Sequence, residues 1–119
     1  MDGIYIPQAQ SARLNQLCKP GKVVVVYGPR RVGKTTLIKH YARQQHEDVL
    51  LVTGEDITVR EYLESQSVEK LQAFVGRKRI LIVDEAQYVR KIGLNLKLLV
   101  DHVEGLRIIA TGSSSFDLA

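Results

Sequence analysis

A glycine-rich segment, GPRRVGKTT at positions 28–36, follows four consecutive valines and a tyrosine and precedes a helical pattern. Gly28, Gly33, Lys34 and Thr35 fit the pattern G-x-x-x-x-G-K-[ST], which carries meaning only between a strand and a helix. The glycines allow a tight turn whose N–H groups point at an anion, and the helix N-terminus adds partial positive charge. Lys34 places a point charge beside the β- and γ-phosphates, and the Thr35 hydroxyl is a hard oxygen ligand for Mg²⁺. We therefore predict a nucleotide phosphate site here, in preference to an ordinary glycine-rich turn with an incidental lysine.

The predicted phosphate contacts extend over the whole loop. Thr36 would add its backbone N–H, with or without its hydroxyl, at the α-phosphate. An arginine that stabilises phosphoryl transfer normally comes from a neighbouring subunit, so we interpret Arg30 and Arg31 as solvated loop positions. The predicted nucleotide-binding residues are Gly28, Pro29, Arg30, Arg31, Val32, Gly33, Lys34, Thr35 and Thr36.

A second group is the acidic pair Asp84 and Glu85, which directly follows the apolar run RILIV at 79–83. Carboxylates at the C-terminal end of a buried strand lie where open α/β sheets bind their ligands. Asp84 can hold Mg²⁺ directly or through a water, and Glu85 can orient or deprotonate an attacking water. Two adjacent acids are also typical of an exposed turn. The phosphate loop about fifty residues earlier favours the catalytic interpretation.

A third group, TGSSS at 111–115, follows the apolar run LRIIA. A hydroxyl beside the acidic pair would bond the γ-phosphate or the attacking water, which makes Thr111 or Ser113 the predicted γ-phosphate sensor. A serine- and glycine-rich turn explains the same letters equally well.

Strand and helix patterns alternate around these groups. Apolar runs predict strands at 23–27, 49–53, 79–83 and 106–110, and helical periodicity predicts helices at 8–17, 34–45 and 94–103, with one helix or two over 58–76. Residues 1–7 read as an extended lead-in. The alternation predicts an α/β fold with a parallel sheet covered by helices.

The composition limits the classes of protein to which this chain can belong. A chain of 119 residues with 45% hydrophobic and 25% charged residues fits one globular domain at most. It has no apolar run long enough to span a bilayer and no signal-peptide pattern at its N-terminus, so we expect a cytoplasmic protein without membrane contact. Cys18 is the only cysteine, so no intrachain disulfide is expected.

The net charge of +4 is unevenly distributed, since residues 1–45 carry eight Lys or Arg and one acidic residue. The phosphate loop accounts for part of this excess. A nucleic-acid surface or a solvated face would account for the rest. No aromatic residues are interleaved with the basic ones, so no motif supports nucleic-acid binding.

The motifs GPRRVGKTTL, LIVDEAQ and IIATGSSSF, in this order, resemble the nucleotide-binding core of prokaryotic AAA-type ATPases that carry a separate nuclease-like C-terminal region. The resemblance implies a three-layer P-loop NTPase core with Lys34 and Thr35 in Walker A and Asp84 and Glu85 in Walker B. Near sensor 1, where many relatives have asparagine, this chain has threonine and serine.

Members of that family continue into a fifth strand, which gives a sheet order of 5-1-4-3-2, and then into a helical lid. We therefore expect residues 1–119 to form a truncated AAA-type nucleotide-binding domain with strand order 1-4-3-2. Its expected ligands are ATP and Mg²⁺. The full-length protein would hydrolyse ATP to drive a conformational change, while this chain alone would be weakly active. The alternative is a nucleotide-dependent binding module or switch with little turnover.

Strand order 1-4-3-2 would leave the strand at 23–27 as an edge with unpaired N–H and C=O groups. VVVVY contains none of the charges, prolines or bulges that blunt natural edges. We therefore expect self-association, through pairing along this strand or through a swap of the N-terminal segment.

Overall fold

The computed structural model describes residues 3–7, 14–28 and 32–113. These residues form an α/β fold. Its strands are β1 (Gly3–Pro7), β2 (Val23–Gly28), β3 (Val49–Thr53), β4 (Ile80–Asp84) and β5 (Arg107–Ser113). Its helices are α1 (Leu14–Leu17), α2 (Val32–Arg43), α3 (Ile57–Leu63), α4 (Val68–Val75) and α5 (Ile92–His102), with a 3₁₀ turn at Ala86–Tyr88.

The five strands form one parallel sheet in the order β1-β2-β5-β4-β3. The four strands predicted from apolar runs are β2, β3, β4 and β5. Numbered among themselves they stand in the order 1-4-3-2, so the predicted fold class and strand order are confirmed. This order brings the C-terminal ends of β2, β5 and β4 side by side, and the three predicted groups of polar residues lie there.

The expectation that β2 is an edge strand is wrong. Residues 3–7, interpreted as an extended lead-in, form β1 and pair in parallel with β2, from Gly3 opposite Val23 to Pro7 opposite Tyr27. The apolar run of β2 is therefore paired on both sides. Pro7 is the last residue of β1, which is an edge strand, and a residue without an N–H group is tolerated best in an edge strand.

Among the described residues, the core consists of two apolar clusters, one on each face of the sheet. Successive side chains of a strand point to opposite faces, and β2 follows this rule: Val23 and Val25 pack in one cluster, Val24 and Val26 in the other. Helices α3, α4 and α5 cover the first face, and α1 and α2 cover the second. The strand runs have no polar face because both faces are covered.

The region predicted as one helix or two is two helices, each with its own N-cap. Asp56 accepts hydrogen bonds from the backbone N–H groups of Thr58 and Val59 at the start of α3. Ser67 accepts from the N–H of Lys70 at the start of α4. These side chains satisfy donors that a helix start otherwise leaves unpaired, which explains the break between the helices.

The last predicted strand, 106–110, is longer in the structure because β5 continues to Ser113. The pairing of β5 with β2 places Thr111 opposite Val26 and Ser113 opposite Gly28. The two hydroxyl residues therefore lie in the sheet itself, next to the start of the phosphate loop, and not in a turn beyond it.

Candidate functional site

A hydrogen bond joins the helix that follows the predicted phosphate loop to the acidic end of β4. The hydroxyl of Thr35, in the first turn of α2, donates to Oδ2 of Asp84 at 3.0 Å, although the two residues are 49 positions apart in the sequence. Thr35 reaches this position because α2 begins at Val32, directly after the loop. The two hard oxygen ligands predicted for Mg²⁺ are therefore adjacent.

Thr111 connects the same carboxylate to the backbone of its neighbour. Its hydroxyl donates to Oδ1 of Asp84 and accepts from the N–H of Glu85 at 3.0 Å. The side chain of Thr111 is completely buried, so water does not compete for these bonds. Asp84 thus accepts from hydroxyls on both sides, one on α2 and one on β5, and its orientation is set by both.

Glu85 leaves the line of β4 in a left-handed conformation, with φ of 52° and ψ of 47°. Such a conformation is uncommon in a residue other than glycine and has an energetic cost. It begins the 3₁₀ turn, and the Glu85 side chain is only 8% exposed. The backbone thus turns sharply at the residue predicted to activate water.

Gly54, just after β3, allows the chain to pass close to this turn. Its N–H donates to the carbonyl oxygen of Asp84 at 2.7 Å. A Cβ at this position would lie 2.4 Å from the carbonyl oxygen of Glu85 and 3.1 Å from Cγ2 of Val89. Any residue larger than glycine would therefore displace the backbone that carries Glu85.

Gln87 is in direct contact with the predicted site residues. Its Nε2 donates to Oε1 of Glu85 at 2.8 Å and to Oγ of Ser113 at 3.1 Å. Its Oε1 is buried and, among the described residues, lacks a hydrogen-bond partner. Leaving a buried acceptor unsatisfied costs about 1–3 kcal/mol. The amide nitrogen of Gln87 therefore bonds two predicted site residues, while its unsatisfied oxygen lowers the stability of the fold.

Lys34 lies in the first turn of α2 and is 1% exposed. A lysine is rarely buried to this degree, since removing an ammonium from water is costly.

Thr36, in the same helical turn, is exposed. Gly28 ends β2 and Val32 begins α2. Three predicted nucleotide-binding residues, Pro29, Arg30 and Arg31, lie outside the described residues.

A cleft of about 550 Å³ opens beside Thr35, Asp84 and Glu85. Its other walls are the side of α2, the C-terminal half of β3 and the loop that leads into α3. Glu55 and Asp56 in that loop add two further acids to the lining. The cleft gives solvent and small molecules a route to the acidic pair.

A metal site built from protein side chains alone is absent from the described part of the chain, which has no group of three or more His, Cys, Asp or Glu residues able to hold an ion. Mg²⁺ bound with a nucleotide does not need such a group, because phosphate oxygens and waters fill most of its octahedral shell. The adjacent oxygens of Thr35 and Asp84 suit an ion of this kind.

In a comparison with known protein families, residues 20–119 match a family model described as an AAA domain. The chain belongs to this family. Searches of the curated proteins and of the solved structures found no match. Membership of the AAA domain family implies nucleotide binding, and the match covers the loop, the acidic pair and β5 together. Among its described residues, this AAA domain has no helix long and apolar enough to cross a membrane.

Two residues that contact the candidate site, Gln87 and Gly54, were not predicted from the sequence. Gln87 belongs to the DEAQ motif, and its spacing of two from Glu85 was the available signal. Gly54 follows β3 as one residue of a turn, and nothing in the local sequence shows that it contacts Glu85, 31 positions later.

Proposed function

We propose that this AAA domain binds ATP with Mg²⁺ and hydrolyses it to ADP and phosphate, and that the protein uses this reaction to drive a conformational change. The observation that carries the proposal is the hydrogen bond between Thr35 and Asp84. It joins the end of the phosphate loop to the acidic strand end, as a shared magnesium and phosphate site requires.

The phosphate chain would lie along the loop from Gly28 to Thr36. Backbone N–H groups and the N-terminus of α2 would contact its oxygens, and Lys34 would add a positive charge at the β- and γ-phosphates. Thr35 and Asp84 would hold Mg²⁺, which supplies charge neutralisation on the phosphates when bound. Because these groups would already be in position before the reaction, they would act mainly by stabilising the charge of the transition state.

Glu85 would orient the attacking water and accept its proton. A carboxylate in this role must lie within hydrogen-bond reach of the water. Glu85 is next to Asp84 and is one of the residues that line the cleft, so water from the cleft reaches this end of β4. The reaction breaks the bond between the β–γ bridging oxygen and the γ-phosphorus and forms a bond from the water oxygen to that phosphorus.

Of the two predicted sensor residues, Ser113 fits the role better. Thr111 donates its only hydroxyl proton to Asp84. Ser113 is opposite Gly28, at the start of the phosphate loop, and its hydroxyl already accepts a bond from Gln87. We therefore assign Thr111 to holding Asp84 and Ser113 to contact with the γ-phosphate.

Thermal unfolding with and without Mg-ATP tests the binding step. A ligand at about 100 times its Kd stabilises the folded state by about 2.7 kcal/mol, which raises Tm by several degrees in a domain of this size. Lys34→Ala should abolish most of this shift. Arg43→Ala, which removes a positive charge from the far end of the same helix, should keep it. Equal shifts in wild type and Lys34→Ala would reject the phosphate loop as the site.

Single-turnover hydrolysis, with protein in excess over radiolabelled ATP, tests the chemical step. We expect slow but measurable turnover that Glu85→Gln reduces by about 10²- to 10⁴-fold without loss of the Mg-ATP melting shift. Binding without hydrolysis in the wild type would favour the alternative, a nucleotide-dependent binding module or switch.

A further inference from the structure

The amide of Gln87 lies between two residues with different tasks in the proposed reaction. Its single nitrogen reaches the Glu85 carboxylate at 2.8 Å and the Ser113 hydroxyl at 3.1 Å. Glu85 is at the end of β4 and Ser113 is at the end of β5, opposite the first residue of the phosphate loop. Gln87 itself is in the 3₁₀ turn that Glu85 begins. The amide therefore connects the predicted base with the strand beside the phosphates.

Folding alone does not explain this side chain. Its buried Oε1 has no partner among the described residues, which makes the amide unfavourable at this position compared with an apolar side chain of the same length. The two bonds from Nε2 both end on predicted site residues. The structural benefit of the polar group is thus confined to the site.

We propose that Gln87 is a positioning residue for ATP hydrolysis, which fixes the carboxylate of Glu85 relative to Ser113 and the phosphates. This inference rests on the proposed function. Oε1 of Glu85 accepts the amide N–H, which restricts rotation of the carboxylate. The left-handed backbone turns Glu85 off the line of β4, so the position of its carboxylate depends on side-chain contacts, and the Gln87 bond is one of them.

The amide is suited to this task because its nitrogen has two hydrogens and no charge. One hydrogen serves the carboxylate and the other serves the hydroxyl. A carboxylate at position 87 would face that of Glu85 with the same charge at hydrogen-bond distance, and like charges this close repel. A methionine would fill the space without contacting either group through hydrogen bonds.

The test compares Gln87→Met with wild type in three measurements: unfolding by urea, the Mg-ATP melting shift and the single-turnover rate. We expect unchanged or higher stability, an unchanged melting shift and a rate lower by about 10- to 100-fold, the size of effect that misplacing a catalytic group has. Gln87→Asn keeps an amide but is shorter by one methylene, and should lose rate in the same way. It decides the question if the methionine variant does not fold.

A double-mutant cycle with Glu85→Gln separates positioning from a general structural role. If Gln87 acts through Glu85, then Gln87→Met should have no further effect on the rate in the Glu85→Gln background. Equal losses in both backgrounds, or a loss of the melting shift in Gln87→Met, would overturn the inference. So would a wild-type rate in both Gln87 variants.

The two proposals fail in distinguishable ways. If Glu85→Gln lowers the rate and the Gln87 variants do not, only the positioning role is rejected. If wild type does not hydrolyse ATP, or if Glu85→Gln hydrolyses it as fast as wild type, the proposed function and the inference are both rejected.

Discussion

Thr111 donates its hydroxyl proton to Oδ1 of Asp84, across two neighbouring strands and 27 positions of sequence. The same oxygen of Thr111 accepts the N–H of Glu85. A buried hydroxyl with both functions in use holds the carboxylate of Asp84 and the first peptide of the following turn together. The acidic pair therefore depends on β5 for its geometry as much as on its own strand.

Replacing Thr111 with valine removes both bonds while keeping the shape of the side chain. Bonds to charged groups contribute about 1.5–3 kcal/mol, so we expect a loss of stability of about that size. Urea unfolding measures it. Thr111→Ser restores the hydroxyl and should recover most of the loss. An unfolding free energy of Thr111→Val equal to that of wild type would show that the two bonds contribute nothing to the fold.

Gly54→Ala should displace the Glu85 backbone, because the added Cβ would lie 2.4 Å from its carbonyl oxygen. We expect a loss of stability of about 1–3 kcal/mol and a lower single-turnover rate. Gly76→Ala is a matched control, because its cost comes from a positive φ of 59° with no atom within 4 Å of the new Cβ. That variant should be less stable yet keep its rate. A Gly54→Ala protein with wild-type turnover would contradict the predicted coupling.

Thr35→Val should remove the part of nucleotide binding that depends on magnesium. The variant keeps a β-branched side chain but lacks the hydroxyl that bonds Asp84. Melting shifts with ATP in Mg²⁺ and in EDTA give the magnesium increment for each protein. We expect a clear increment in wild type and in Thr35→Ser, and little or none in Thr35→Val. An equal increment in all three would remove Thr35 from the metal site.

Deleting residues 1–7 should cause self-association. The intact chain pairs β1 with β2, so the reason for expecting association at that edge does not hold for it. Without β1, the run Val23–Gly28 becomes an edge with no charged residue in it. Light scattering after size exclusion, over a range of concentrations, should show more association in the deleted chain than in the intact one.

The control for this deletion also carries Tyr27→Lys, which places a charge on the new edge strand at a position that is 36% exposed. It should associate less than the deleted chain without the lysine, and circular dichroism checks that it folds. If the deleted chain stays as monomeric as the intact one, β1 does not protect an edge in solution.

Stability should fall at alkaline pH because of two buried groups that share a hydrogen bond. Burial raises the pKa of the Cys18 thiol above its ordinary value of 9.0, an effect that the Tyr41 hydrogen bond and the charge of Arg107 partly oppose. Burial, together with Cys18, also raises the pKa of the Tyr41 hydroxyl above 10.0. The unfolded chain therefore loses these protons at lower pH than the folded chain does.

Because both pKa values are higher in the folded chain, the free energy of unfolding falls as pH rises. The contribution of both groups is fully present below pH 9 and is lost as pH rises toward their folded-state pKa values. Urea unfolding at pH 7.5, about 9 and about 10 measures the decline, and the double variant Cys18→Ala with Tyr41→Phe should show a shallower one. An identical pH dependence in the double variant would show that other groups are responsible.

The sequence by itself determined which contiguous segments belong to the candidate site. A phosphate loop needs a strand, a glycine-rich turn and a helix in immediate succession, so the residues of this segment are enough to predict one. The four main strands could also be predicted, because a strand buried on both faces is a short uninterrupted apolar run. Asp84 and Glu85 could be assigned to the C-terminal end of a strand for the same reason, since they follow such a run.

Only the tertiary structure decided what depends on the register between strands. Thr111 and Ser113 lie in β5, and the pairing with β2 and β4 determines that one bonds Asp84 and the other lies beside Gly28. No local pattern contains that register. A turn was one of two equal interpretations of the Ser and Gly residues, because those residues favour turns when considered alone, whereas pairing with β2 extends the strand to Ser113.

The pairing of β1 and the contacts of Gln87 and Gly54 have the same origin. Residues 3–7 place only three strand-forming residues, Ile4, Tyr5 and Ile6, between a glycine and a proline, and they form a strand by pairing with the N–H and C=O groups of β2. Gln87 and Gly54 matter through distances to atoms on other elements. Local sequence specifies which residues can turn, pair or bind phosphate, while the packing of distant segments specifies which of them meet.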